Sequence, residues 1–400
     1  MELELLTLAL VGLLALIAPL ISRLTEVPCV VLEIALGIVF GQSVLGLIAV
    51  EGPWTTFLFD FGLIYLLFMA GLEVEARFLR QNAVDSMIIG VLSTLVPFAV
   101  GYSFGLVVGF SPELAGVIFS TTSVGVVLPA AKELEHLFRG LEGSDRVPFH
   151  KLLIGATAVS DMLSMFMLAF MIERRGANVQ TLALIAAAGI LLLPFYRALQ
   201  AYGRLASRMV ELERRYHFTT RMSMVLMIVL AAAAELVGVH AVVGSFFAGV
   251  LVSVLTEGYE RLGENLISFG YSLFLPAFFL LAGAKVNLPE VVAAGELWLL
   301  PAFLALSYVG KLVGVYAPAR LRGHSREVSL TMGTLMWAKL SLVIAASEAA
   351  LRLGLADLGV YSTAVLFALF TVLLAPLAAK MLASKTAADV ARAQRLGEVI

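Results

Sequence analysis

The sequence predicts an all-α polytopic membrane protein of about 13 transmembrane helices, with the N-terminus outside and the C-terminus inside. Three observations carry this. Sixty per cent of the 400 residues are hydrophobic and only 14% are charged, with a mean hydropathy of +0.98, whereas soluble domains sit near one half apolar and one quarter charged. The apolar residues come in blocks close to the roughly 20 residues that cross a bilayer as helix, without the period-2 alternation of a membrane barrel. Of the 27 basic residues, only Arg174, Arg175, Lys285 and Arg352 fall on outer connections and only Lys311 and Lys339 inside spans; all the others lie at inner connections or the tail. That asymmetry sets the orientation and requires an odd number of helices.

The elements follow in order. The block 4–22 starts behind Met1-Glu2-Leu3-Glu4, acidic where a secretory signal is basic, and is expected to be a retained span. Blocks 28–48 and 55–73 are continuous apolar lengths, carrying Glu33 and Asp60, with Glu73 at the inner end of the second. Spans 85–108 and 113–134 follow, the latter with a polar, irregular centre at Thr121-Thr122-Ser123-Val124-Gly125 and Pro129. Span 150–172 holds Asp161. Span 179–196 leads into the most basic connection, 197–221, which divides the spans roughly in half. Spans 222–238, 240–256 and 266–284 form a second apolar group, with Glu235 near the end of the first of them. Span 295–317 contains Lys311, and span 328–350 has an irregular centre at Trp337-Ala338-Lys339-Leu340-Ser341. Span 358–383 closes the membrane region, and the tail 384–400 is short, charged and helix-prone. Matching interruptions in spans 113–134 and 328–350 read either as broken helices whose freed backbone groups face a cavity or as ordinary glycine and proline irregularities.

Asp161 is the residue through which function is expected to run, because a carboxylate at bilayer depth is costly and marks an ion path or proton relay. Desolvation and a nearby cation act on such a group in opposite senses. A carboxylate so balanced holds either a proton or a metal cation, here Na⁺ or K⁺. Hard cations prefer oxygen ligands, and Ser160, Thr121, Thr122 and Ser123 with loose carbonyls would supply them. The competing reading is an Asp161 paired with a lysine for assembly alone. Lys311 lies mid-span and needs a buried partner or neutrality. Lys339, at its interruption, would offset the partial negative charge of half-helix C-termini, or else reach to the interface. Glu33, Asp60 and Glu73 are candidate funnel acids, with structural pairing as the alternative.

His136, His150, His217, His240 and His324 fall mainly in inner loops, where histidines are usually bystanders. No metal-site spacing, phosphate loop or dinucleotide fingerprint is present, so no cofactor is expected, and no basic segment points to nucleic acid. The single Cys29 excludes an intrachain disulfide. Gly37/Gly41 and Gly101/Gly105 suit close helix packing.

The ordered series Leu67-Phe68-Met69-Ala70-Gly71-Leu72-Glu73, Thr122-Ser123-Val124-Gly125, Ala158-Val159-Ser160-Asp161, Val243-Gly244-Ser245-Phe246-Phe247-Ala248-Gly249, Pro276-Ala277-Phe278-Phe279 and Gly310-Lys311 resembles the monovalent cation:proton antiporters, in the branch with the Kef and NapA-type exchangers. The resemblance covers nearly the whole membrane region. It implies an NhaA-like fold of inverted repeats with two crossed broken helices, in a homodimer of the prokaryotic inner membrane. Segments 1–74 and 222–284 would be the interface domain, 85–172 and 295–383 an ion-translocating core, and 179–221 a linker helix with its inner loop. It also implies Na⁺ or K⁺ exchange for H⁺, serving pH homeostasis, by an elevator-like shift of the core around Asp161.

Two positions depart from that family's pattern. Ser160 stands where electrogenic members have a first aspartate, so one carboxylate would trade one proton for one cation and the exchange is expected to be electroneutral. Lys339 stands where many relatives have a glutamate, giving two lysines against one certain carboxylate. That excess motivates one alternative, a proton-coupled anion or solute carrier on the same scaffold; a Kef-like regulated K⁺ efflux system is the other. An intramembrane enzyme finds no paired catalytic constellation.

Overall fold

With no water in the hydrocarbon to satisfy backbone groups, a chain this apolar pairs its peptides within helices. The computed structural model describes residues 2–25, 27–72, 83–138, 149–173, 216–236, 241–255, 260–293 and 298–395, and their regular structure is helical throughout. In chain order these are α1 (Glu2–Thr25), α2 (Cys29–Phe40), α3 (Pro53–Leu72), α4 (Ala83–Val108), α5 (Pro112–Ser120), α6 (Val124–Phe138), α7 (Phe149–Glu173), α8 (Phe218–Leu236), α9 (Ala241–Leu255) and α10 (Glu260–Phe269). A π-helical turn, Gly270–Phe274, joins α10 to α11 (Leu275–Ala284), and α12 (Leu288–Ala293), α13 (Leu299–Leu321), α14 (Arg326–Leu335), α15 (Ser341–Arg352) and α16 (Leu358–Arg395) complete the fold.

Among the described residues, nine helical stretches are long and apolar enough to cross a membrane, with Cys29–Phe40 and Ala241–Ser253 as shorter apolar helices. The chain is an integral membrane protein. Every span expected from hydropathy falls on helix except 179–196, which lies outside the described residues together with most of the 197–221 connection. Span 28–48 is only partly helical: α2 ends at Phe40, and the amides of Leu45, Gly46, Leu47 and Ile48 fold back onto the carbonyls of Val39, Gly41 and Phe40. The stop falls at Gly41-Gln42-Ser43, an interruption too short to lower the hydropathy of a block that is apolar again from Val44 to Val50. Helix α16 continues through the tail as far as Arg395.

Two compact units emerge, one of residues 1–24, 32–76 and 169–285, the other of 25–31, 77–168 and 286–400. In the first, small residues bring backbones together. A Cβ on Gly37 would strike the Leu280 carbonyl and one on Gly283 the Ile34 carbonyl, so α2 and α11 touch main chain to main chain; Gly71 and Gly249 do the same for α3 and α9. Tyr65 donates to the Leu266 carbonyl at 2.7 Å, beside the π turn, and its ring occupies the place a Gly270 Cβ would take.

The second unit holds the candidate site. Helix α4 packs on α5 and α13, α13 on α14, and α16 on α14, α15 and α6. Gly101 and Gly105 let α4 approach Ala115 and Pro112 of α5. One apolar core of this unit contains Ile89, Val127, Leu134, Leu152, Met332 and Leu335. In a second cluster Phe119 and Phe303 stack edge to face at 5.3 Å, with Phe104 and Phe367 alongside.

Candidate ion-binding site

The two sequence interruptions are real helix breaks, and they meet. Ser111 caps α5 by accepting from the Leu114 amide at 3.5 Å, Pro112 starts the helix, and the chain leaves it at Thr121 in an extended conformation (φ −58°, ψ 159°). Hydroxyls assist the exit. Ser120 donates to the Val117 carbonyl at 2.9 Å and Thr121 to that of Ile118 at 3.2 Å, bonds that compete with the helix ladder. In the other break, Leu340 adopts φ −148°, ψ −90° between α14 and α15. The Ser123 amide donates to the Ala338 carbonyl at 2.9 Å, tying one extended stretch to the other.

A helix end leaves carbonyls without partners, and within a membrane each must find one. At the end of α5 the assignment is complete. The Val117 carbonyl also accepts the Thr121 amide. Those of Phe119 and Thr121 accept from Lys339 Nζ at 2.7 and 2.6 Å, and that of Ser120 accepts from Lys311 Nζ at 2.7 Å. Both lysines are fully buried. Lys311 spends its other donors on the Ser93 carbonyl at 2.8 Å and Ser160 Oγ at 3.3 Å, so all three protons of its ammonium are engaged. Two lysine side chains thus sit at the end of one half-helix, where donors meet its partial negative charge. Lys339 does offset a helix C-terminus, but that of α5, not that of α14, in whose own break it lies.

Asp161 and Ser160 project from α7 into this region. Ser160 Oγ accepts from Thr94 at 2.9 Å and bonds Thr122 Oγ1 at 3.2 Å; one turn further along α7, Ser164 Oγ bonds Ser120 Oγ at 3.3 Å. Ser123 is buried at the start of α6. Asp161 is partly exposed and lies within electrostatic range of Lys311, which in turn is in range of Lys339. The structure therefore brings together Asp161, Ser160, Thr122, Ser123, Lys311 and Lys339 of the expected set.

Glu33 is buried on α2 and Asp60 half-buried on α3, both in the first unit; Glu73 lies outside the described residues. Glu235 is exposed. Of the histidines, His240 is outside the described residues, His217 is exposed, and His324 is buried with Nε2 3.6 Å from Asp85 Oδ2, whose other oxygen takes Arg322 Nε at 2.5 Å.

The sequence reading passed over Thr94, Ser164, Thr371 and Glu348. Lone hydroxyls in apolar helices give no pattern to find. Glu348 did have a signal, an acid inside the span 328–350; it is 1% exposed and paired with Arg352 at 2.8 Å.

Comparison with known proteins places this geometry in a lineage. Residues 12–385 match the transmembrane sodium/hydrogen exchanger family. The chain belongs to that family. It is 30% identical over 376 residues to a probable Na⁺/H⁺ antiporter of Methanocaldococcus jannaschii, covering 91% of this chain and 92% of the relative. It is 26% identical to a Na⁺/H⁺ antiporter of Enterococcus hirae, over 92% and 95% of the two chains. A Na⁺/H⁺-K⁺ antiporter of Bacillus cereus, GerN, is 24% identical over 87% and 88%. The solved sodium proton antiporter MjNhaP1 of Methanocaldococcus jannaschii superposes with a TM-score of 0.69 at 16% identity, covering 97% of this chain and all of that one, so this exchanger has the antiporter fold.

Proposed function

We propose that the protein exchanges a monovalent cation, Na⁺ or K⁺, for H⁺ across a plasma membrane, with Asp161 as the shared binding group. The observation that carries this is the engagement of Lys311 and Lys339 by backbone carbonyls. Their donors are directed to the α5 terminus and the groups around it, and Asp161, in electrostatic range of Lys311, is the acid of this region. Thr122 and Ser160, bonded to each other at 3.2 Å, and Ser123 supply the oxygen ligands a hard cation prefers. A cation and a proton then compete for one group.

The same observation bears on the anion-carrier reading, which needs lysine donors turned toward a ligand. All three of Lys311 and two of Lys339 are turned to the protein instead. Membership of relatives named for both Na⁺ and K⁺ keeps both ions in view. In this proposal the unit of residues 77–168 and 286–400 moves as the core, an elevator-like shift exposing Asp161 to either side, while the other unit holds a homodimer. The core carries the same charge loaded with a proton or with a monovalent cation, which makes the cycle electroneutral.

Proton flux in proteoliposomes, driven in turn by Na⁺, K⁺ and Li⁺ gradients, tests the proposal. Asp161→Asn is expected to reduce cation-driven flux to background. Undiminished flux in that variant, or flux driven by organic anions alone, refutes it.

A further inference from the structure

Thr371 sits on α16 in an apolar run, and neither the sequence pattern nor the exchange cycle gives it a task. Its hydroxyl is fully buried against the peptide of Lys339. It accepts the Lys339 amide at 3.1 Å, and its proton faces the Lys339 carbonyl at 3.1 Å and the Ala368 carbonyl of its own helix at 3.0 Å. In an unbroken helix the Lys339 amide would donate to the Leu335 carbonyl, four residues back. The break hands that carbonyl to the Ala338 amide at 3.2 Å, and the Lys339 carbonyl likewise leaves the ladder. One side chain replaces both lost bonds, at the residue whose ammonium caps α5.

We propose that Thr371 is a positioning residue for cation binding. By clamping the Lys339 backbone it sets the point from which Nζ reaches the carbonyls of Phe119 and Thr121, and so fixes the exit of α5 that presents Thr122 and Ser123 beside Asp161. Among the described residues the neighbouring groups are otherwise occupied: the Ala338 carbonyl is taken by Ser123, and α15 starts without a side-chain cap. The proposal rests on the reading of Asp161 as the exchange site.

The test compares Thr371→Val, which keeps the shape and loses the hydroxyl, with Thr371→Ser, which keeps the hydroxyl, each alone and combined with Lys339→Met. Flux is driven by whichever of Na⁺ or K⁺ drives the wild type. Thr371→Val is expected to raise KM for the cation about tenfold, the scale of one buried hydrogen bond, with maximal rate changed by less than about twofold. Thr371→Ser restores the wild-type KM, and in the Lys339→Met background Thr371→Val adds nothing, because both act through one group. A wild-type KM in Thr371→Val, equal impairment in Thr371→Ser, or multiplying effects in the double variant overturns the proposal. Where Thr371→Val does not assemble, Thr371→Ala takes its place, and a wild-type KM there is equally fatal. Absence of exchange in the wild type refutes the reading of Asp161 and not the clamp, which is then decided by thermal unfolding: a Thr371→Val variant as stable as the wild type, or a Thr371→Ser variant destabilised as much as Thr371→Val, overturns it.

Discussion

Lys339 shows how one side chain settles a problem the backbone creates. Two carbonyls of the α5 exit depend on its ammonium, and a buried carbonyl left without a donor costs on the order of 1–3 kcal/mol. Lys339→Met fills similar space without a donor. The variant is expected to unfold several degrees below wild type in detergent, by about 2–6 kcal/mol if both carbonyls stay dry, as read by a thermal-shift or size-exclusion assay. Lys380 is the contrast. It pairs with Glu133 at 2.5 Å, but both side chains are 59% exposed, and such pairs contribute little. At this scale the sequence told which residues carry charge and roughly at what depth. It did not tell their partners, since Ser93, Ser120 and Phe119 meet the lysines through main-chain oxygens that every residue has.

The elements were legible where a single property varies along the chain. Apolar length gave the helices, and hydroxyl-rich or lysine-bearing centres in spans 113–134 and 328–350 marked the two breaks that the structure shows at 121–123 and 336–340. The early end of α2 was marked only by the short step Gly41-Gln42-Ser43, after which the block turns apolar again. Close helix pairs were half legible. Gly37 and Gly41 were recognisable as small, but not their contact with α11, in which Gly283 faces the Ile34 carbonyl. Gly283→Val places two methyl groups where main chain already lies. Overpacking of this kind costs about 1–3 kcal/mol or more, so the variant is expected to lose thermal stability or fail to assemble while an exposed site such as Leu16 tolerates Val. Equal stability of the two would show that α2 and α11 do not pack through their backbones.

For the molecule as a whole, the telling quantity is the charge that moves in one cycle. In the proposed cycle, with Ser160 beside Asp161, a core carrying either a proton or a monovalent cation has the same net charge, and a membrane potential does about 2.3 kcal/mol of work per 100 mV on each unit of charge moved. The exchange rate of the wild type is therefore expected to be flat between an imposed potential of either sign. Ser160→Asp adds a second titratable carboxylate while keeping an acceptor for Lys311. If that variant carries two protons against one cation, its rate becomes voltage dependent. A voltage-dependent wild type would contradict the one-for-one cycle.

Composition and apolar block length were enough to determine a helical membrane protein, because partition into a bilayer depends on each segment's own transfer energy. The ordered motifs went further and pointed to its family. Which oxygens the two buried lysines take was decided only in three dimensions. The lysine of one break caps the helix end of the other, and a threonine from α16 holds that lysine in place, since hydrogen bonds form between groups that folding brings within 3 Å, however far apart they lie along the chain.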